Sequence, residues 1–153
     1  MYERFNQEAR RATFFADREA RQAGSSYVEP EHLFLGLIHQ TDSKANKLFA
    51  LASRAEDFRK QLNIHAFDKT SKSQDYPVSN TCRRVLIYAL EEADQLKSVT
   101  IGTEHLLLGL LRESKSKVPA ALATVGIDLD SARKLIRRDA GFPALEDQSQ
   151  SEP

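Results

Sequence analysis

Four histidines, one cysteine and two glutamates in matching surroundings are the residues whose types could carry chemistry. His32 follows Glu31, and His105 follows Glu104. A zinc site of the His-Glu-x-x-His kind needs two histidines one helical turn apart, with the glutamate as general base. His32, His39, His65 and His105 contain no such pair. Each of His32 and His105 is therefore read as hydrogen-bonded within a helix pair. Cys82 falls within a helical stretch, at a position filled by Ala9 in a matching segment, and reads as a small buried residue. No serine, histidine and acid fall together as a nucleophile and its base. No Gly-x-x-x-x-Gly-Lys-Ser/Thr loop is present to cradle a nucleotide phosphate. These residues predict no catalytic group, metal or cofactor.

Glu31 and Glu104 have two readings. Each stands in the first turn of an expected helix. The helix dipole favours a carboxylate there by about 0.3–1 kcal/mol when exposed. In the second reading, the two carboxylates face a ligand carrying a cation such as guanidinium.

Both glutamates belong to an internal duplication. Val28-Glu29-Pro30-Glu31-His32-Leu33-Phe34-Leu35-Gly36-Leu37-Ile38 recurs as Ile101-Gly102-Thr103-Glu104-His105-Leu106-Leu107-Leu108-Gly109-Leu110-Leu111, an offset of 104 − 31 = 73 residues. Upstream, Arg11, Ala16, Glu19 and Ala20 match Arg84, Ala89, Glu92 and Ala93. Downstream the offset grows by one, so that Leu48, Arg59 and Lys60 match Leu122, Arg133 and Lys134. A gain of one residue between aligned blocks is what a loop insertion produces.

The elements that position these residues are all helical. Phe5 to Ala23 carries Ala9, Ala12, Phe15, Ala16 and Ala20 at helical spacing, with Asn6 as N-cap. Pro30 to Gln40 forms a second helix, its proline in the first turn where the missing N–H has no partner. Lys44 to Ala52 is a short third helix. Ser53-Arg54-Ala55-Glu56 has the form of a capping box opening a fourth, which ends near Asn63. The second set follows in the same order: Ser79 to Leu96; Thr103 to Glu113 with Thr103 as N-cap; Val118 to Val125; and a last helix capped by Asp128 and ending near Ala140. Gly36 and Gly109 lie inside equivalent helices, where glycine costs about 1 kcal/mol against alanine. The same cost at both places implies close approach of a neighbouring helix backbone. No stretch alternates as a strand does. The expected architecture is all-α: eight helices in two four-helix repeats related by a pseudo-two-fold. Repeat one spans 1–63, a polar linker 64–77, repeat two 78–141 and a flexible tail 142–153.

Composition narrows the class. Of 153 residues, 41% are hydrophobic, enough for a core, and 22 basic residues balance 22 acidic ones. A net charge of zero removes the electrostatic footprint of a general nucleic-acid binder. No apolar run approaches the roughly 20 residues of a membrane helix. The start, Met1-Tyr2-Glu3-Arg4-Phe5, lacks the apolar stretch of a secretory signal. A single cysteine precludes an internal disulfide, and the expected setting is cytoplasmic.

The duplicated Glu-His-Leu-x-Leu-Gly-Leu block, with Arg4-Phe5 before a long alanine-rich helix, resembles the N-terminal domain of the Clp ATPases over roughly Met1 to Gly141. These ATPases are unfoldases that feed a compartmental protease. The resemblance implies a non-catalytic module that binds protein substrates, adaptor proteins or Clp ATPase and protease subunits. Two settings fit: a stand-alone adaptor or modulator, or the substrate-receptor domain of a full-length unfoldase. A small helical hydrolase using Glu31 or Glu104 as base is the third alternative.

In some members of that family the domain recognises phosphorylated arginine. The glutamate before the family's histidine takes the guanidinium, and the phosphate lies at the start of a repeat's first helix. Carried over, the resemblance implies Glu31 and Glu104, with Asn6 and Ser79 at the helix starts and Thr103 beside Glu104. The family often has Thr-x-Arg-Ala at those starts. Here they read Asn6-Gln7-Glu8-Ala9 and Ser79-Asn80-Thr81-Cys82. Because Glu29-Pro30 precedes Glu31, Glu104 is expected to contribute more to such binding than Glu31. If neither contributes, the groove between the repeats is the expected partner surface.

Overall fold

The computed structural model describes residues 2–64 and 76–142. Among them the chain forms eight α-helices and no strand: α1 (Gln7–Gln22), α2 (Pro30–His39), α3 (Lys44–Phe49), α4 (Ala55–Leu62), α5 (Asn80–Gln95), α6 (Thr103–Arg112), α7 (Val118–Ala123) and α8 (Leu129–Asp139). Short 3-10 turns cover Tyr2–Arg4 and Leu51–Arg54.

Local chemistry sets most of the helix starts. Asn6 and Ser79 accept the N–H of Ala9 and Cys82, capping α1 and α5. Ser43 caps α3, and Asp128 caps α8. Two expected caps are corrected. The Ser53 hydroxyl donates back to the Ala50 carbonyl at 2.8 Å, and α4 starts at Ala55 without a side-chain cap. The third helix stops at Phe49 because Ala50 turns left-handed (φ 54) and the next residues tighten into the 3-10 turn. Thr103 is the first helical residue of α6, not its N-cap, which is Gly102. The Thr103 hydroxyl instead accepts the Ala45 N–H of the other repeat at 3.1 Å.

The two repeats pack alike. α2 lies against α1 with Gly36 on the α1 backbone: a Cβ there would collide with the Ala12 carbonyl and stand 3.0 Å from the Ala16 nitrogen. Gly109 meets the Val85 carbonyl and the Ala89 nitrogen in the same way. These neighbours are themselves 73 residues apart, so the pseudo-two-fold extends to individual backbone contacts. The repeats join through two parallel bridges, Phe5 with Ile101 and Val28 with Val78, which the same two-fold exchanges. One buried cluster runs through both halves, from Phe34 and Phe58 to Leu106, Leu110 and Leu122.

The linker reading falls mainly on 65–75, including His65, outside the described residues. Its flanks are packed: Ile64, Tyr76 and Val78 lie against the core. Phe142, which the sequence assigns to the tail, is likewise packed on the core beneath the Arg137 guanidinium, 5.4 Å from its ring centre. The rest of the tail is outside the described residues.

Candidate functional site

The bridges that join the repeats also bring the predicted site residues together, across the repeats and not within them. Asn6 N–H donates to the Ile101 carbonyl at 3.0 Å, which sets the start of α1 beside the start of α6. A side chain at Gly102 would collide with the Glu104 carboxylate and approach Asn6 Nδ2 to 3.0 Å. Asn6, Thr103 and Glu104 therefore share one junction. At the other, Ser79 N–H donates to the Val28 carbonyl at 3.1 Å, which sets the start of α5 beside the start of α2 and Glu31.

The first junction is filled by the chain's own groups. Glu8 Oε1 accepts the Lys44 N–H at 3.0 Å and the Thr103 hydroxyl at 3.5 Å. Lys44 Nζ pairs with Asp139 at 3.0 Å. Burial raises the pKa of Glu104, its own backbone N–H and Lys44 oppose that rise, and Glu8 and Asp139 add to it. At the second junction, Glu31 accepts the Ser116 hydroxyl at 3.1 Å, and Glu29 Oε1 is buried without a hydrogen-bond partner. An anion entering either junction meets a carboxylate of this chain, Glu8 or Glu29.

The paired histidines serve the helix starts. His32 Nδ1 accepts the Glu29 N–H, and His105 Nδ1 accepts the Gly102 N–H, each at 2.9 Å. The bond lies within the first turn of each histidine's own helix. It satisfies a donor that helix geometry leaves open. Burial lowers both pKa values, that of His105 to about 4, so each ring stays neutral and keeps Nδ1 as an acceptor. His39 lies elsewhere, its ring 4.0 Å from that of Phe15. Burial pushes the Cys82 thiol up to about 12, and at 2% exposure it is no nucleophile.

A groove lies between α1 and α5, at the seam of the repeats. It encloses about 640 Å³, within the range of roughly 300–1,000 Å³ of ligand clefts. Phe14, Ala16 and Arg18 line it from α1, Cys82 and Leu86 from α5 and Leu33 from α2, together with Tyr2, Val28 and Tyr76. Phe14 is 59% exposed and Tyr2 42%, although each meets a neighbouring ring edge-on, Phe15 and Phe5 respectively. Ile87, 73 residues after Phe14, is also exposed, so both first helices carry an apolar side chain off their buried stripe. The buried-stripe pattern passed over Phe14; its match to Ile87 at one repeat position was the signal that could have found it. The groove offers apolar surface and arginine charge, the chemistry of a binding surface.

The sequence profile of the Clp repeat (R) N-terminal domain matches residues 4–125 and 77–153. A ClpA homolog of Guillardia theta, an ATP-binding subunit of the ATP-dependent Clp protease, is 35% identical over 146 residues, which cover 94% of this chain and 18% of that protein. The chloroplastic chaperone protein ClpC1 of Oryza sativa subsp. japonica is 35% identical over 143 residues, covering 92% and 16%. In fold, the N-terminal domain of Arabidopsis thaliana ClpD superposes with a TM-score of 0.70 at 22% identity, over 92% of this chain and 97% of that one. The Hsp104 N-terminal domain of Candida albicans gives 0.67 at 21%, over 94% and 95%. The chain belongs to the Clp N-terminal domain family. It spans less than a fifth of the length of these two full-length relatives.

Proposed function

We propose that this chain is a recruiting module of a Clp unfoldase–protease system. It binds segments of protein substrates or adaptors in the groove between α1 and α5, and performs no catalytic step itself. The observation that carries this reading is the groove itself: about 640 Å³ of largely apolar lining with Phe14 and Tyr2 held open to solvent at its rim. Exposed apolar patches of this kind mark interaction sites on soluble proteins.

The junction residues Asn6, Thr103, Glu104, Ser79 and Glu31 are assigned in this reading to holding the repeats together. Glu8 at one junction and Glu29 at the other argue against a phosphorylated arginine in either, since each would set a carboxylate against the phosphate. Burial of Glu104 further weakens its case as the leading ligand contact.

The test is fluorescence anisotropy with a labelled unfolded polypeptide, comparing the parent with Phe14→Asp. A charge in the groove is expected to weaken binding about tenfold or more, because it removes the apolar ring and sets there a carboxylate that must lose its water when the groove is covered. Circular dichroism should show an unchanged fold, since Phe14 is outside the core. Equal binding by the two proteins would remove the groove as the partner surface.

A further inference from the structure

The first helices of the two repeats, α1 and α5, carry corresponding outward stripes, and only one of them has its charges engaged. On α1, Arg11, Phe14 and Arg18 stand three and four residues apart, the spacing that sets side chains on one helix face. All three are exposed. The 73-residue offset puts Arg84, Ile87 and Glu91 in the same places on α5. There both charges are spent within the chain. Arg84 donates twice to Glu113, at 2.9 and 3.1 Å, and Glu91 accepts from Arg112 at 2.8 Å. The first repeat holds different chemistry at those partner positions. Glu113 is matched by Gln40, which is uncharged and donates from Nε2 to the Glu8 carbonyl at 2.8 Å. Arg112 is matched by His39, whose ring stands 4.0 Å from that of Phe15. Of the carboxylates of α1 itself, Glu8 accepts the Lys44 N–H at 3.0 Å, Asp17 is taken by Arg21, and Glu19 by Arg59. Arg11 and Arg18 make no side-chain hydrogen bond or ion pair among the described residues. Helical rise separates them by about 10 Å along the axis, with Phe14 between them.

We infer that this outward face of α1 takes a helix of a partner protein that carries two carboxylates two turns apart with an apolar side chain between them, and that the matching face of α5 does not. Phe14 is shared with the groove proposed above, on which this inference therefore rests. One carboxylate meets each guanidinium, whose planar fork binds a carboxylate through two parallel hydrogen bonds. The apolar side chain covers Phe14 and removes its ring from water. Selectivity is geometric. Carboxylates moved to another face of the partner helix leave both arginines without a counter-charge and the apolar contact intact. On α5, an approaching acidic helix meets Glu91, and Arg84 is already held by Glu113.

Two labelled helical peptides of one composition test this. In the first, glutamates stand three residues before and four residues after a leucine. In the second, each glutamate is moved two positions along the chain, which turns it off the leucine's face. At low salt the first peptide should bind the parent about five- to tenfold tighter by anisotropy, the scale of two exposed ion pairs. Arg11→Gln with Arg18→Gln should bring the two peptides to equal affinity, while Phe14→Ala weakens both. Circular dichroism should show each variant folded, since all three side chains are exposed. Equal affinities for the parent, with Phe14→Ala still weakening both peptides, would overturn the charge pairing and leave the groove standing. Binding of neither peptide, with the labelled unfolded polypeptide still bound, would overturn this inference alone. Loss of the polypeptide as well would overturn both readings. A preference that survives the double arginine variant would also overturn the inference. So would a dimer that dissociates on Phe14→Ala in sedimentation, which would give this face to a second copy of the chain.

Discussion

Glu104 and His105 are neighbours whose burial has opposite consequences with pH. His105 holds the Gly102 N–H on Nδ1, and its pKa falls from the ordinary 6.5 to about 4. Between those values the unfolded chain binds the proton more readily, so stability rises with pH. The stability this ring contributes is full above pH 6.5 and declines as pH falls toward 4. Urea titrations across that interval should show a shallower slope in His105→Ala. That variant should also lose about 1–3 kcal/mol at neutral pH by leaving a buried N–H without an acceptor. Glu104 runs the other way. Its raised pKa means that the folded state holds the proton more tightly. Its favourable contribution is present below the ordinary carboxylate range and is lost as pH rises through the raised value. Glu104→Gln should therefore melt higher than the parent at pH 7 and about equally at pH 4. A variant that melts lower at pH 7 would show that the ionised carboxylate holds the junction together.

At the scale of elements, the duplication made the helices and their tight contact legible. Gly36 and Gly109 could be read as close approaches because the same unfavourable residue recurs in the same helix position. Gly109→Ala is a sharp test. Helix propensity alone predicts a gain of about 1 kcal/mol, whereas the collision with the Val85 carbonyl predicts a net loss of about 1–3 kcal/mol. Thermal melts read the sign directly. Ser53 and Thr103 were misread for a shared reason. A hydroxyl before a helical run is a local capping signal, but its partner is chosen by tertiary structure. Thr103 spends its hydroxyl on Ala45 of the other repeat. The matches of Glu19 with Glu92 and of Arg59 with Arg133 were visible as repeats, yet not as ion pairs. In the fold each glutamate, nearly buried, takes its arginine through two hydrogen bonds of 2.7–2.9 Å. Periodicity reports which face is buried, and not which distant element covers it.

The groove belongs to the whole molecule. Tyr2, Phe14, Leu33, Tyr76 and Leu86 converge only once the two bridges have docked the repeats, so no local pattern announces them. The same docking adds a neighbour to Glu104 that the chain order beside it does not show. Each glutamate sits beside the first helix of the other repeat, and Glu8 is therefore Glu104's neighbour. That the α1–α5 groove is the partner surface is tested most directly by mapping a bound peptide onto the backbone amides. Nitrogen-15-labelled chain titrated with a peptide carrying leucine and phenylalanine at helical spacing should show its largest shift changes at Phe14, Arg18, Leu33, Tyr76 and Leu86, with α4, α7 and α8 unmoved. Largest changes at Glu31, Ser79 and Ser116, or on the α4–α7 face with the groove silent, would contradict it.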